Sequence, residues 1–200
     1  MKVIVIGATG TIGRAVADAL AARHEVVRVG HTGGEVLADL ESPESLEALF
    51  RSAAPFDAVV CCAGRATFGP LAEMSEEGFE LGLRSKLMGQ VNAVRLGLPH
   101  VADGGSFTLT SGVLAHEPAP GSAAISPVNA GVEAFAAAAA LELPRGVRVN
   151  VVSPPWVSET LQGMGMDPSG GVPAAKLAAA YVRCVEGAMN GETIDGRTSA

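Results

Sequence analysis

Aromatic residues are scarce in this 200-residue chain: one Trp, one Tyr and six Phe. A core of the size this length buries must therefore be built from Val, Leu, Ile and Ala. Lysine is scarcer than usual too, present only as Lys2, Lys86 and Lys176. The formal net charge of -7 excludes the basic footprint of a nucleic-acid binder and argues against an anionic membrane as partner. The cysteines are Cys61, Cys62 and Cys184. An odd count without metal-ligand spacing points to reduced thiols, no metal site and a cytoplasmic location. Adjacent Cys61 and Cys62 read as core strand residues. Long apolar runs are missing as well. Val3 to Ile6 is too short for a signal-peptide core, and Ala134 to Ala140 is bounded by Glu133 and Glu142, as a soluble helix would be.

What is present is an alternation of short apolar runs and helical periodicity. Strands are predicted at Val3–Ile6, Glu25–Val29, Glu35–Ala38, Asp57–Cys61, Ser106–Leu109, Val147–Val151 and Glu192–Ile194. Helices are predicted at Thr11–Ala22, Ser42–Ala53, Ser75–Leu98, Val128–Leu143 and Pro173–Ala188. Short links between alternating elements imply an α/β, Rossmann-like, doubly wound parallel sheet of about seven strands, with helices on both faces. No linker divides the chain, so residues 1–200 form a single domain. Residues 154–171, rich in Pro and Gly, are too long for a plain connector and read as a short lid.

The glycines carry the first functional signal. Gly7-Ala8-Thr9-Gly10-Thr11-Ile12-Gly13 ends a strand and opens a helix. There, glycines let the backbone turn sharply and approach a pyrophosphate, whose charge faces the N–H groups of the helix N-terminus. NAD-selective sites usually carry Asp or Glu at the end of the second strand. Here that slot is Gly30, followed by His31 and Thr32. A 2′-phosphate is not repelled, and Arg14, His31 and Thr32 are within reach of one. The expected cofactor is NADP, with NAD possible.

The stretch SGVLAHEPAPGSAAISPVNAGVEAF, from Ser111 to Phe135, resembles the active-site stretch of the short-chain dehydrogenase/reductase family. Further resemblances cover essentially the whole chain. The spacing GxxGxxG is similar to that of the family's extended and atypical members. His31 falls in a slot that is often Arg in NADP-binding relatives. Asp39-Leu40 resembles the adenine-binding pair. Cys62-Ala63-Gly64 resembles the family's Asn-Asn-Ala-Gly. Arg148-Val149-Asn150 and Ser153-Pro154 resemble the run before the nicotinamide, with Pro155 in place of the usual Gly. By the same resemblance, Pro154, Val157 and Thr160 lie near the nicotinamide, and a homo-oligomer (dimer or tetramer) is implied.

The resemblance fails at the acid–base pair. It implies Ser111 as a catalytic hydrogen-bond donor. The family's Tyr slot falls on Ile125 and its Lys slot on Asn129. The family's Asn slot, in Lys86-Leu87-Met88-Gly89, holds Lys86. Lys and Asn are thus exchanged, which would keep one ammonium and one amide in the pocket. Lys86 is expected at the edge of a buried stripe of Leu83, Leu87, Val91, Val94 and Leu98. Ile125 cannot transfer a proton, and Tyr181 is implied to be remote. The candidate replacements are Lys86, directly or through water, and His116; the remaining option is a substrate that needs only weak acid help. The leading functional reading is an NADP(H)-dependent oxidoreductase that reduces a small-molecule carbonyl or a related C=C or C=N bond. The alternative is a non-redox protein on the same scaffold: a dinucleotide sensor, or a cofactor-independent isomerase or cyclase. Met164, Met166 and Trp156 suggest an apolar pocket.

Overall fold

A computed structural model describes residues 1–199. Seven parallel strands form one sheet in the order β3-β2-β1-β4-β5-β6-β7. The strands are β1 (Lys2–Ile6), β2 (Glu25–Gly30), β3 (Val36–Leu37), β4 (Phe56–Cys61), β5 (Val101–Thr110), β6 (Arg148–Ser153) and β7 (Thr193–Asp195). The strand order reverses direction between β1 and β4, which opens a crevice at their carboxyl ends.

Alternation along β1 builds the two faces. Ile4 and Ile6 point into one cluster with Phe50, Val59, Phe107 and Val149. Val3 and Val5 point into the other, with Val16, Leu20, Tyr181 and Cys184. The first face is covered by α2 (Pro43–Ala53), α4 (Gly89–Gly97) and α5 (Ser126–Ala139), the second by α1 (Thr11–Ala21) and α7 (Ala174–Glu186). Burial on both faces explains strands that read as continuous apolar runs. The start of α2 matches its sequence signals: the Ser42 hydroxyl accepts from Ser45 N–H, Pro43 fits the first turn, and Glu44 adds charge there.

Several boundaries differ from the prediction. β5 begins at Val101 rather than Ser106, because a register shift opposite Phe56 and Ala58 lets Asp103-Gly104-Gly105 continue the strand despite poor strand propensity. α5 begins at Ser126, with Pro127 in its first turn. The helix predicted over Ser75–Leu98 is three pieces: α3 (Glu76–Gly82), a π-helical turn at Leu83–Met88, and α4.

The wide turn displaces the start of the predicted stripe, while Leu87, Val94 and Leu98 still pack on the core. Leu83 is exposed, whereas Ser85, Gln90, Ala93 and Val94 are buried. Small residues are required on that face. A Cβ on Gly82 would lie 2.9 Å from Val128 of α5, and one on Gly89 would lie 2.6 Å from Leu40.

Residues 154–171 contain a short helix, α6 (Ser158–Gly163), and a single 3-10 turn at Pro168–Gly170. A parallel bridge between Val157 and Val172 closes the segment at its base. The Glu159 carboxylate accepts from Ala174 N–H at the start of α7. The segment is therefore anchored at both ends. Among the described residues, no helix is long and apolar enough to cross a membrane.

Candidate active site

The crevice at the strand ends holds two recesses on either side of the π turn, whose Ser85 lines the first and whose Lys86 lines the second. The first is a groove of about 310 Å³. Gly7, Thr9 and Gly10 line it from the β1–α1 loop; Gly30, His31, Asp39 and Leu40 line it from the β2–α2 side; Cys62, Ala63 and Gly64 line it from the end of β4. Its glycines have specific work. Gly7 takes φ +84, open to glycine at no steric cost. A Cβ on Gly13 would lie 2.0 Å from the Gly7 carbonyl oxygen, so helix and loop meet there backbone to backbone. Gly10 caps α1 without a side-chain bond, leaving the N–H groups of the first turn to face an anion.

Not every predicted cofactor residue reaches this groove. Ile12 packs its side chain on the α1–α7 core. Arg14 donates back to the Thr9 carbonyl at 3.1 Å and lies with Thr11, Asp18 and Glu159 over an adjoining depression on the other side of Thr9 and Gly10. Thr32 is exposed and is not among the groove residues. His31 does line the groove, with Nδ1 3.9 Å from the Asp39 carboxylate.

Three polar groove residues escaped the sequence reading: Glu41, Arg65 and Ser85. Glu41 receives the guanidinium groups of Arg65 and Arg84, which hold its carboxyl down at about 2. Ser85, turned inward by the π turn, accepts from Arg65 N–H at 3.0 Å. Their only sequence signal is position, since Glu41 follows Asp39-Leu40 and Arg65 follows Ala63-Gly64.

The second recess is a pocket of about 230 Å³ lined by Lys86, Ser111, Ile125, Asn129, Pro154, Trp156, Val157 and Thr160, with Leu114 and Val113 completing its wall. Lys86, Ser111 and Asn129 are thus brought together. Lys86 donates to the Ser111 carbonyl at 3.1 Å, and its stem passes against Gly64, where a Cβ would lie 2.9 Å from Lys86 Cα. Burial pulls its ammonium down from 10.5 to about 8. Asn129 is buried, and its Oδ1 has no hydrogen-bond partner. A buried acceptor without a donor is costly, so an incoming hydroxyl, amide or ammonium would be welcome there. Glycines that admit backbone at one end and an unfilled acceptor at the other suit an extended, anionic, hydroxyl-bearing ligand such as a dinucleotide.

His116 lies outside this pocket, in a neighbouring depression with Glu117 and Arg197. It joins the site through a residue the sequence reading missed. Glu133 of α5 accepts from the Ser111 hydroxyl at 2.6 Å and pairs with His116 Nε2 at 2.5 Å. The signal was available: Ile125, Asn129 and Glu133 share one helix face at four-residue spacing.

Tyr181 is fully buried in the α1–α7 core, with its hydroxyl 3.0 Å from Thr110 Oγ1. Burial pushes its phenol well above the usual value, so it keeps its proton as a core residue. Burial likewise raises the Cys61 thiol to about 11 and the Cys62 thiol further. Met164 and Met166 are exposed and away from the pocket. Only Trp156 of the three supplies apolar wall, braced edge-on by Phe68 at 5.9 Å between ring centroids.

Comparison with known proteins agrees with this geometry. Residues 7–182 match the family described as enoyl-(acyl carrier protein) reductase, a group of short-chain dehydrogenases. The crystal structure of the protein lin1944 from Listeria innocua is 40% identical, with a TM-score of 0.93 over 98% of both chains. A small-chain dehydrogenase solved in complex with NADPH is 26% identical, with a TM-score of 0.86, covering 98% of this chain and 95% of that one. An uncharacterized oxidoreductase of Methylorubrum extorquens is 28% identical over 178 residues, spanning 77% of this chain and 72% of the relative.

Proposed function

This chain belongs to the short-chain dehydrogenase/reductase family, and from that premise we propose that it is an NADP(H)-dependent reductase of a carbonyl, or a related C=C or C=N bond, with a rebuilt acid–base set. The observation that carries the proposal is the meeting of Lys86, Asn129 and Ser111 in one pocket at the end of a glycine-lined groove. The NADPH complex of a neighbour supports the cofactor, as does the missing carboxylate at Gly30. Bound there, the cofactor supplies a hydride to the electrophilic carbon of the substrate.

The chain's residues supply everything else. Gly7, Gly10 and the first turn of α1 would hold the pyrophosphate, His31 would take the 2′-phosphate, and Asp39 and Leu40 would hold the adenine. Lys86 would provide a positive charge and a donor for the nicotinamide ribose, and Asn129 Oδ1 would provide an acceptor for it. The Ser111 hydroxyl is the donor at the substrate oxygen, where negative charge develops. Leu114, Ile125 and Trp156 exclude water from that point and favour an apolar or aromatic substituent on a small substrate.

A thermal-shift titration with NADPH and NADH, followed by a carbonyl, enone and imine panel monitored at the cofactor's absorbance, tests the proposal. Stabilisation by NADPH above NADH and turnover with one panel class are expected. Binding without turnover of any class would favour the non-redox reading, which Ile125 in the pocket motivates; failure of both nucleotides to stabilise the chain would remove the cofactor altogether.

A further inference from the structure

We propose that Ser111 delivers the proton that the family's Tyr would give, and that Glu133 and His116 resupply it from solvent. The inference rests on the reductase reading above. Its observation is a continuous chain of polar atoms from pocket to surface. The Ser111 hydroxyl, on a residue only 2% exposed, meets Glu133 Oε1 at 2.6 Å. Glu133 Oε2 meets His116 Nε2 at 2.5 Å. The His116 ring is 68% exposed, whereas the Glu133 side chain is 10% exposed. A carboxyl enclosed between a buried hydroxyl and a solvent-washed imidazole suits transfer between the two. The arrangement differs from a nucleophilic triad, in which the imidazole sits next to the serine. Here the carboxyl lies between them, so it cannot activate Ser111 by way of His116.

The proton balance is simple. As hydride reaches the carbonyl carbon, the C=O π bond breaks and its oxygen takes the Ser111 hydroxyl proton, giving the alcohol. This step runs from the state in which Glu133 is protonated and donates from Oε1 to Ser111 Oγ, the reverse of the bond that Ser111 makes to the carboxylate in the structure; Ser111 Oγ takes that proton as it gives up its own. Glu133 recovers a proton at Oε2 from His116 Nε2 and rotates its carboxyl to bring that proton to Oε1. His116 takes its replacement from water. One hydride and one proton are consumed per alcohol formed. Ser111 touches the substrate and is the catalytic residue of the set; Glu133 and His116 act through it and are positioning residues.

Two measurements on the full chain test the relay. The first needs no substrate: the ring ¹⁵N resonances of His116, identified among the four histidines with the His116→Gln variant. Ser111→Ala and NADPH addition are each expected to shift them in wild type, and neither is expected to do so in Glu133→Gln. A His116 signal indifferent to Ser111→Ala in wild type overturns the relay. The second is kinetic, with any substrate from the panel. Glu133→Gln and His116→Gln are each expected to lower kcat by roughly 100-fold, the bottom of the range for general acids, while NADPH Kd and Tm hold. The double variant is expected to be no slower than Glu133→Gln alone, because the groups act in series. Wild-type rates in either single variant, or a double variant slowed by the product of both, overturn the relay. Failure of NADPH to bind wild type sinks the reductase reading instead, which keeps the two failures distinct.

Discussion

The two halves of the crevice solve different problems. The groove under the β1–α1 loop is defined by backbone: Gly7, Gly13 and Gly64 matter because of what they lack. The pocket at the end of β5 is defined by side chains, and there Lys86, Asn129 and Ile125 line it while Glu133 holds the Ser111 hydroxyl behind them. Backbone geometry tolerates almost no substitution, since a single Cβ collides with main chain. A side-chain constellation can be redistributed among helices if the groups still converge. The contrast teaches that a frame fixed by main-chain contact leaves little room for change, whereas a side-chain cluster leaves room for it.

The sharpest way to break the contrast is at the backbone end. Gly13→Val places branched carbons where even a Cβ would sit 2.0 Å from the Gly7 oxygen. We expect a loss of about 3 kcal/mol or more, read by denaturant unfolding, with NADPH binding abolished.

Next comes the exchanged pair. Lys86→Asn and Asn129→Lys singly are each expected to weaken NADPH binding by roughly 10-fold, and the double variant to recover most of the loss, because coupled neighbours are not additive. Additive losses in fluorescence titrations would show that the two positions are independent. The pH dependence sharpens the point. The Lys86 ammonium, lowered by burial to about 8, is present below that pH and is lost as pH rises through it. NADPH affinity should therefore fall above about pH 8 in wild type and stay flat there in Lys86→Met.

The smallest expected effect separates Arg14 from His31. Arg14→Ala, away from the groove, should change the NADPH-to-NADH affinity ratio by less than about 2-fold. His31→Ala, in the groove, should lower it by about 5-fold, in line with a partly exposed charge-assisted contact. Equal effects would erase the distinction between the two residues.

Much of the frame was legible from local pattern. The order of strands and helices, the glycine turn, the cap of α2 and the pocket residues Ser111, Lys86 and Asn129 all follow from periodicity, motif spacing and family resemblance. The start of β5 was not legible, because Asp103-Gly104-Gly105 disfavours a strand, and only the pairing of Val101 with Phe56 and of Ser106 with Ala58 on either side carries the strand across that irregularity. The π turn was not legible either. Leu83, Leu87 and Val91 fit an ordinary helical stripe, and the close packing of Gly82 on Val128 and of Gly89 on Leu40 at the two ends of the wider turn is set by other elements.

The sequence by itself determined the parallel α/β frame and the cradle at its strand ends, because strand alternation and glycine positions act over a few residues. Tertiary structure alone decided that Lys86 turns toward Ser111 and that Glu133 ties Ser111 to His116. Those contacts join residues 25, 22 and 17 positions apart, and a hydrogen bond depends on distances of a few ångströms that no local pattern encodes.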